Sequence, residues 1–177
     1  MKTKLIFIII AISAITALNC DSWITGTFTI TYDIDDIISS DSNIGGYLLD
    51  LNDEEDYEEH RDDIKSIDQV NIIGWIKNRS SVPVAGEIWV DLNDSLFTPD
   101  AVRDSATLVF ATPIPIPGPA DSIFIDWPDG LQYMQNMDTL KNYIQNIGYF
   151  AMYGLADEAP FDIEMDLEVV ITITVGR

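Results

Sequence analysis

The end of the chain constrains its fold more than any other stretch. Across residues 161–175 an apolar residue occupies every odd position: Phe161, Ile163, Met165, Leu167, Val169, Ile171, Ile173 and Val175. Side chains on a strand alternate between faces, so this run puts eight apolar groups on one side and Asp162, Glu164, Asp166, Glu168, Thr172 and Thr174 on the other. The pattern predicts a long half-buried strand, roughly 50 Å if straight, which is expected to bend or to serve two sheets. Residues 25–34 alternate in the same way, with Phe28, Ile30, Tyr32 and Ile34 opposite Thr27, Thr29, Thr31 and Asp33. These two runs are the best patterned in the chain and are expected to pair as neighbours in one sheet.

Between them, residues 70–78 and 84–92 read as a hairpin closed by residues 78–83. Trp75 and Trp89 fall on the more polar face of their arms, and setting them opposite each other would also set Lys77 opposite Glu87. Shorter strands are expected at residues 47–51, 106–112, 122–127 and 149–155, and polar loops at residues 35–46 and 93–104. Prolines at 113, 115, 117 and 119 remove four backbone donors, so that segment reads as a connection crossing the domain end. Two helices are expected. Residues 52–67 are acidic, with Tyr57, His60 and Ile64 along a narrow stripe; residues 131–147 carry apolar groups at helical spacing and end at Gly148. Strands without regular βαβ alternation point to a mainly β fold: an antiparallel β-sandwich or jelly roll with about two helices packed on it.

At the amino end, Lys2 and Lys4 precede 14 apolar or small residues from Leu5 to Leu18, followed by Asn19 and Cys20. A basic start and a short hydrophobic run fit an export signal and fall short of the about 20 residues that a membrane-crossing helix needs. Cys20 is the only cysteine, so no intrachain disulfide can form, and an exported free thiol is a liability that acylation removes. The run Ala17-Leu18-Asn19-Cys20 resembles the signal of bacterial lipoproteins, with Asn19 where that family usually has Gly, Ala or Ser. The resemblance implies cleavage after residue 19, lipidation of Cys20, and a location in the bacterial cell envelope, anchored to a membrane. The other reading is an ordinary secretory signal, with Ala14-Ile15-Thr16 as its best cleavage site. Residues 20–177 are expected to form a single domain.

Residues 1–19 hold two of the nine Lys and Arg and none of the 30 acids, so the remaining 158 residues have a formal charge of −23. That charge argues against nucleic acid or anionic lipid as a partner, since both require cationic neutralisation. It is compatible with a solubilising surface, a divalent cation or a cationic partner, and leaves a protein or glycan ligand open.

The chemistry available is narrow. A single histidine, His60, lies in the acidic helix and reads as a surface residue, and a zinc site of the usual His and Cys type is excluded by count. No phosphate-binding glycine motif occurs. Asp162, Glu164, Asp166 and Glu168 are spaced for carboxylate chemistry, but a half-buried strand requires a polar outer face in any case. No catalytic residue and no cofactor are therefore expected. Calcium is the one candidate metal, with Asp33, Asp35, Asp36 and Asp41 as ligands. Trp75 and Trp89 are the candidate ligand-binding residues, as an aromatic platform for a lectin-like module.

Overall fold

A computed structural model describes residues 25–112, 114–157 and 159–176. The expected signal segment and Cys20 lie outside the described residues. Eight strands are present: β1 (Thr25–Ser40), β2 (Ile44–Asp50), β3 (Ile64–Asn78), β4 (Gly86–Asp91), β5 (Thr107–Ala111), β6 (Asp121–Ile125), β7 (Tyr149–Ala156) and β8 (Phe161–Gly176). They form two antiparallel four-stranded sheets in the orders β1-β8-β3-β6 and β2-β7-β4-β5. The ladders β1·β8, β2·β7, β3·β6 and β4·β5 are those of one long hairpin, bent between β4 and β5 and rolled so that successive segments fall on alternate sheets. This is a jelly-roll sandwich.

The first and last strands pair as expected, from Thr25 opposite Gly176 to Ser40 opposite Phe161. The apolar face of β8 turns inward, and Leu167, Val169, Ile171 and Ile173 are buried with Ile30 and Ile34 of β1. Each fully buried side chain of this kind contributes about 1.5–3 kcal/mol. Of the two expected outcomes for so long a strand, bending or serving two sheets, β8 does not take the second: it lies in one sheet, between β1 and β3 from Ile163 to Val175. Register shifts in β3 at Ile64/Ser66 and Ile67/Gln69 relieve the long ladder on that side.

The expected hairpin of residues 70–78 with 84–92 is not formed. β3 and β4 belong to different sheets, and Lys77 stands opposite Glu164, not Glu87. Asn78 fixes the crossing between them. It is fully buried, its Nδ2 donates to the carbonyls of Val82 at 2.7 Å and Ile116 at 2.9 Å, and its Oδ1 accepts from Ser80 N at 2.8 Å. Ile116, from the proline-rich segment, is buried and bridges Val84, so that segment does cross the domain end, carrying the chain from β5 to β6.

The acidic helix is shorter than its charge pattern suggests. A 3₁₀ turn at Leu51–Asp53 leads into α1 (Glu55–His60), and after a second turn at Arg61–Asp63 the chain is already in β3. Ile67 is worth more in the sheet, where it is buried opposite Ile173. The loop at residues 93–104 contains α2 (Pro99–Ser105), opened by Thr98, whose hydroxyl caps Ala101 N at 3.2 Å. The expected helix at residues 131–147 is two helices, α3 (Trp127–Tyr133) and α4 (Met137–Asn146). They are separated at Asn136, whose φ of 47° is left-handed, and Gly148 closes α4 as its sequence predicts.

Candidate binding surface

The expected site residues are not brought together. Trp75 and Trp89 lie on the outer faces of different sheets, because β3 and β4 are separated by the sandwich core. Trp89 is half-buried in a small cluster with Val102 of α2 and with Ala151, Tyr153 and Leu155 of β7. Its indole donates to Glu87 Oε2 at 3.0 Å, and that oxygen also faces Arg103 Nη2 at 3.6 Å. Helix α2, absent from the sequence reading, therefore covers Trp89 as structure. A platform made of both tryptophans is not present.

Trp75 is different. It projects from the outer face of the first sheet with 49% of its surface exposed, between Asp166 of β8 and Phe124 of β6. Phe124 is 51% exposed, and the two rings meet at 4.8 Å and 45°. Sequence reasoning missed Phe124, although Ser122 and Phe124 alternate with the inward Ile123 and Ile125 and mark an outer face.

The candidate calcium ligands lie in a strand and the turn after it, not in a loop. Asp33 and Asp35 are exposed on β1, opposite Glu168 and Asp166. Asp36 is placed by its backbone opposite Met165, and Asp41 is exposed in the turn before β2. Among the described residues, no group of three or more His, Cys, Asp or Glu converges as a metal site.

The acids of β8 line an open face, not a cleft. Glu164 Oε2 is 3.3 Å from Lys77 Nζ and 3.9 Å from Arg79 Nη1, and Asp162 Oδ2 is 3.6 Å from Arg79 Nε. His60 rests its ring against Phe28 at 4.8 Å. At the other end of the same face, Asp68 accepts from Thr174 Oγ1 at 2.6 Å and Ser66 Oγ at 2.7 Å. Those two hydroxyls, Thr174 foremost, hold its carboxyl below the usual carboxylate range.

A shallow groove of about 540 Å³ runs over the second sheet, walled by Leu48, Leu96, Phe97 and Tyr153. The Tyr153 hydroxyl donates to Asn93 O at 2.5 Å and accepts from Leu96 N at 3.2 Å, which ties the loop between β4 and α2 to the sheet. A smaller, apolar void of about 80 Å³ lies between the sheets beside Ile88, Phe110 and Met165. No described helix is long and apolar enough to cross a membrane.

No family model matches the chain, and no curated protein matches it. Among solved structures it is similar to a chain of Desmodium yellow mottle tymovirus, at 11% identity and a TM-score of 0.40, covering 85% of this chain and 86% of that one. A chain of turnip yellow mosaic virus gives 10% identity and a TM-score of 0.38, covering 87% and 94%. Dimeric latent PorU from Porphyromonas gingivalis gives 7% and 0.36, covering 88% of this chain but 13% of that one. Likenesses at this level assign neither ligand nor partner.

Proposed function

We propose that this chain is a lipid-anchored, non-enzymatic binding module of the bacterial cell envelope, which meets its ligand with the outer face of the first sheet. The observation that carries the binding role is the exposed Trp75–Phe124 pair. Two large aromatic groups left in water on one sheet face have no part in the core, and exposed apolar groups of this kind mark contact surfaces. Support for a non-catalytic role comes from the acids of β8, which stand side by side on an open sheet. Support for the anchor comes from the basic and hydrophobic run that ends at Cys20, five residues before β1.

Two measurements test this. Cys20→Ser should release the protein from the membrane pellet, and the mature wild-type protein should carry an acyl mass; a pellet-bound variant or an unmodified mass rules out the anchor. A photocrosslinking residue at position 124 should give a defined product in intact cells, and one at position 59 on α1 should not. No product from position 124 removes the binding face.

A further inference from the structure

We infer that the partner at this face is a cationic, extended protein segment with Lys or Arg at alternate positions, an inference that rests on the binding face proposed above. The register places Asp35, Asp166, Trp75 and Phe124 in one row across β1, β8, β3 and β6. The next row holds Asp33, Glu168 and Ile73. Neighbouring strands are about 4.8 Å apart and rows on one face about 6.6 Å apart, so Asp166 stands one strand spacing from Trp75 and Asp35 two, with Glu168 and Asp33 one row further along.

Nothing described neutralises them. Asp33, Asp35, Asp166 and Glu168 are exposed, and among the described residues none has an ion pair, while Lys77 and Arg79 are committed to Glu164 and Asp162. Acids directly opposite on a ladder weaken it, and two such pairs are stacked here. A polar outer face does not require this. The other half of the same two strands meets the requirement with Thr27, Thr29, Thr31, Thr172 and Thr174. The carboxylates are thus concentrated beside the exposed rings, where they favour a cation stacked on Trp75.

Charge selects the occupant. A second copy of residues 20–177 would set a formal −23 against −23, and nucleic acid or anionic lipid would be repelled in the same way. A divalent ion finds no convergent set of three ligands among the described residues. An extended segment with basic residues at alternate positions repeats every 6.6–7 Å or so, which matches the row spacing and lets successive cations meet successive acidic rows.

The test is fluorescence anisotropy on the full chain in neutral detergent, with a labelled peptide of alternating Arg and Thr as the probe. Binding is expected, to weaken steeply with salt. Trp75→Ala, Phe124→Ala and the pair Asp35→Asn with Asp166→Asn should each lower affinity about tenfold. Glu58→Gln with Glu59→Gln removes the same charge from exposed sites on α1 and should change it less than about twofold. Affinity unchanged in both Trp75→Ala and Phe124→Ala overturns the inference, as does an equal loss in the α1 pair, which would mean attraction to net charge alone. If the peptide fails while position 124 still crosslinks in cells, or while neutral glycans bind in a Trp75-dependent way, the occupant is wrong and the binding face stands. If neither occurs, both fail.

Discussion

The hydroxyl of Tyr57 donates to the main-chain carbonyl of Ile144, joining α1 to α4 across 87 positions of sequence. Tyr57 is fully buried, and burial raises its pKa, so it remains a donor at any ordinary pH. Tyr57→Phe leaves the carbonyl without this partner and should cost about 1–2 kcal/mol in urea unfolding. Tyr57→Ala also removes the ring and should cost about 3–5 kcal/mol.

Gly74 has a φ of 126°, and a Cβ there would lie 2.2 Å from the Asp166 carbonyl oxygen. Neither β3 nor β8 can move away, since each is paired on both sides along this stretch. Gly74→Ala should therefore destabilise the domain by more than about 2 kcal/mol. Gly86, where a Cβ meets nothing within 4 Å, should accept Ala within about 0.5 kcal/mol in the same assay.

Asn78→Asp replaces both amide donors with a carboxylate pointed at the Val82 and Ile116 carbonyls. Loss of two buried hydrogen bonds and burial of a charge should cost at least about 3 kcal/mol, or roughly 6–12 °C in Tm. Calorimetry on both proteins at neutral pH measures it.

Because Asp68 has a lowered pKa in the folded state, it stabilises the fold above its ordinary pKa, near 3.9, and that contribution is lost as pH falls through the lower folded value. Thr174→Val removes the largest cause of the shift. The variant should be less stable than wild type at pH 6, and the gap should narrow as the pH drops below about 4. Urea midpoints across that range decide it; a constant gap means that Thr174 acts by packing alone.

The opposed acids predict a gain. Asp33→Asn with Asp35→Asn relieves two cross-strand repulsions and should raise stability by a few tenths to about 1 kcal/mol at low salt. The gain should shrink in molar salt, where exposed charges are screened. A double variant less stable than wild type would show that these carboxylates make contacts that the fold needs.

What could be read from the sequence was the orientation of side chains within each strand. Alternation in residues 25–34 and 161–175 put the right groups in the core and foretold the β1–β8 pair, since two long amphipathic runs have few other ways to bury their faces. The same alternation turned Trp75 and Trp89 outward correctly. It could not name their neighbours, because period 2 fixes a face and leaves the pairing open. The apparent hairpin failed for that reason: the contacts that carry the chain across to the other sheet are made by Asn78 with Val82 and Ile116, and the latter lies 38 residues further on. Phe124 and the Thr98-Pro99 helix start were legible and went unread. The short extent of α1 was not legible, because burial of Ile67 in the core outweighs local helical pattern.

The register of β1 with β8 has a mechanical consequence. Held at its amino end near a membrane, as proposed, the domain hangs from a strand whose only ladder among the described residues is to β8. A pull on the far rows carrying Asp35 and Trp75 would load that ladder along the strand axis. All its hydrogen bonds, lying across the force, would then share the load. Drawing apart the adjacent ends at Thr25 and Gly176 would open the same ladder one pair at a time. The molecule is thus stiff toward a load borne on its aromatic face and weak toward one that separates its termini.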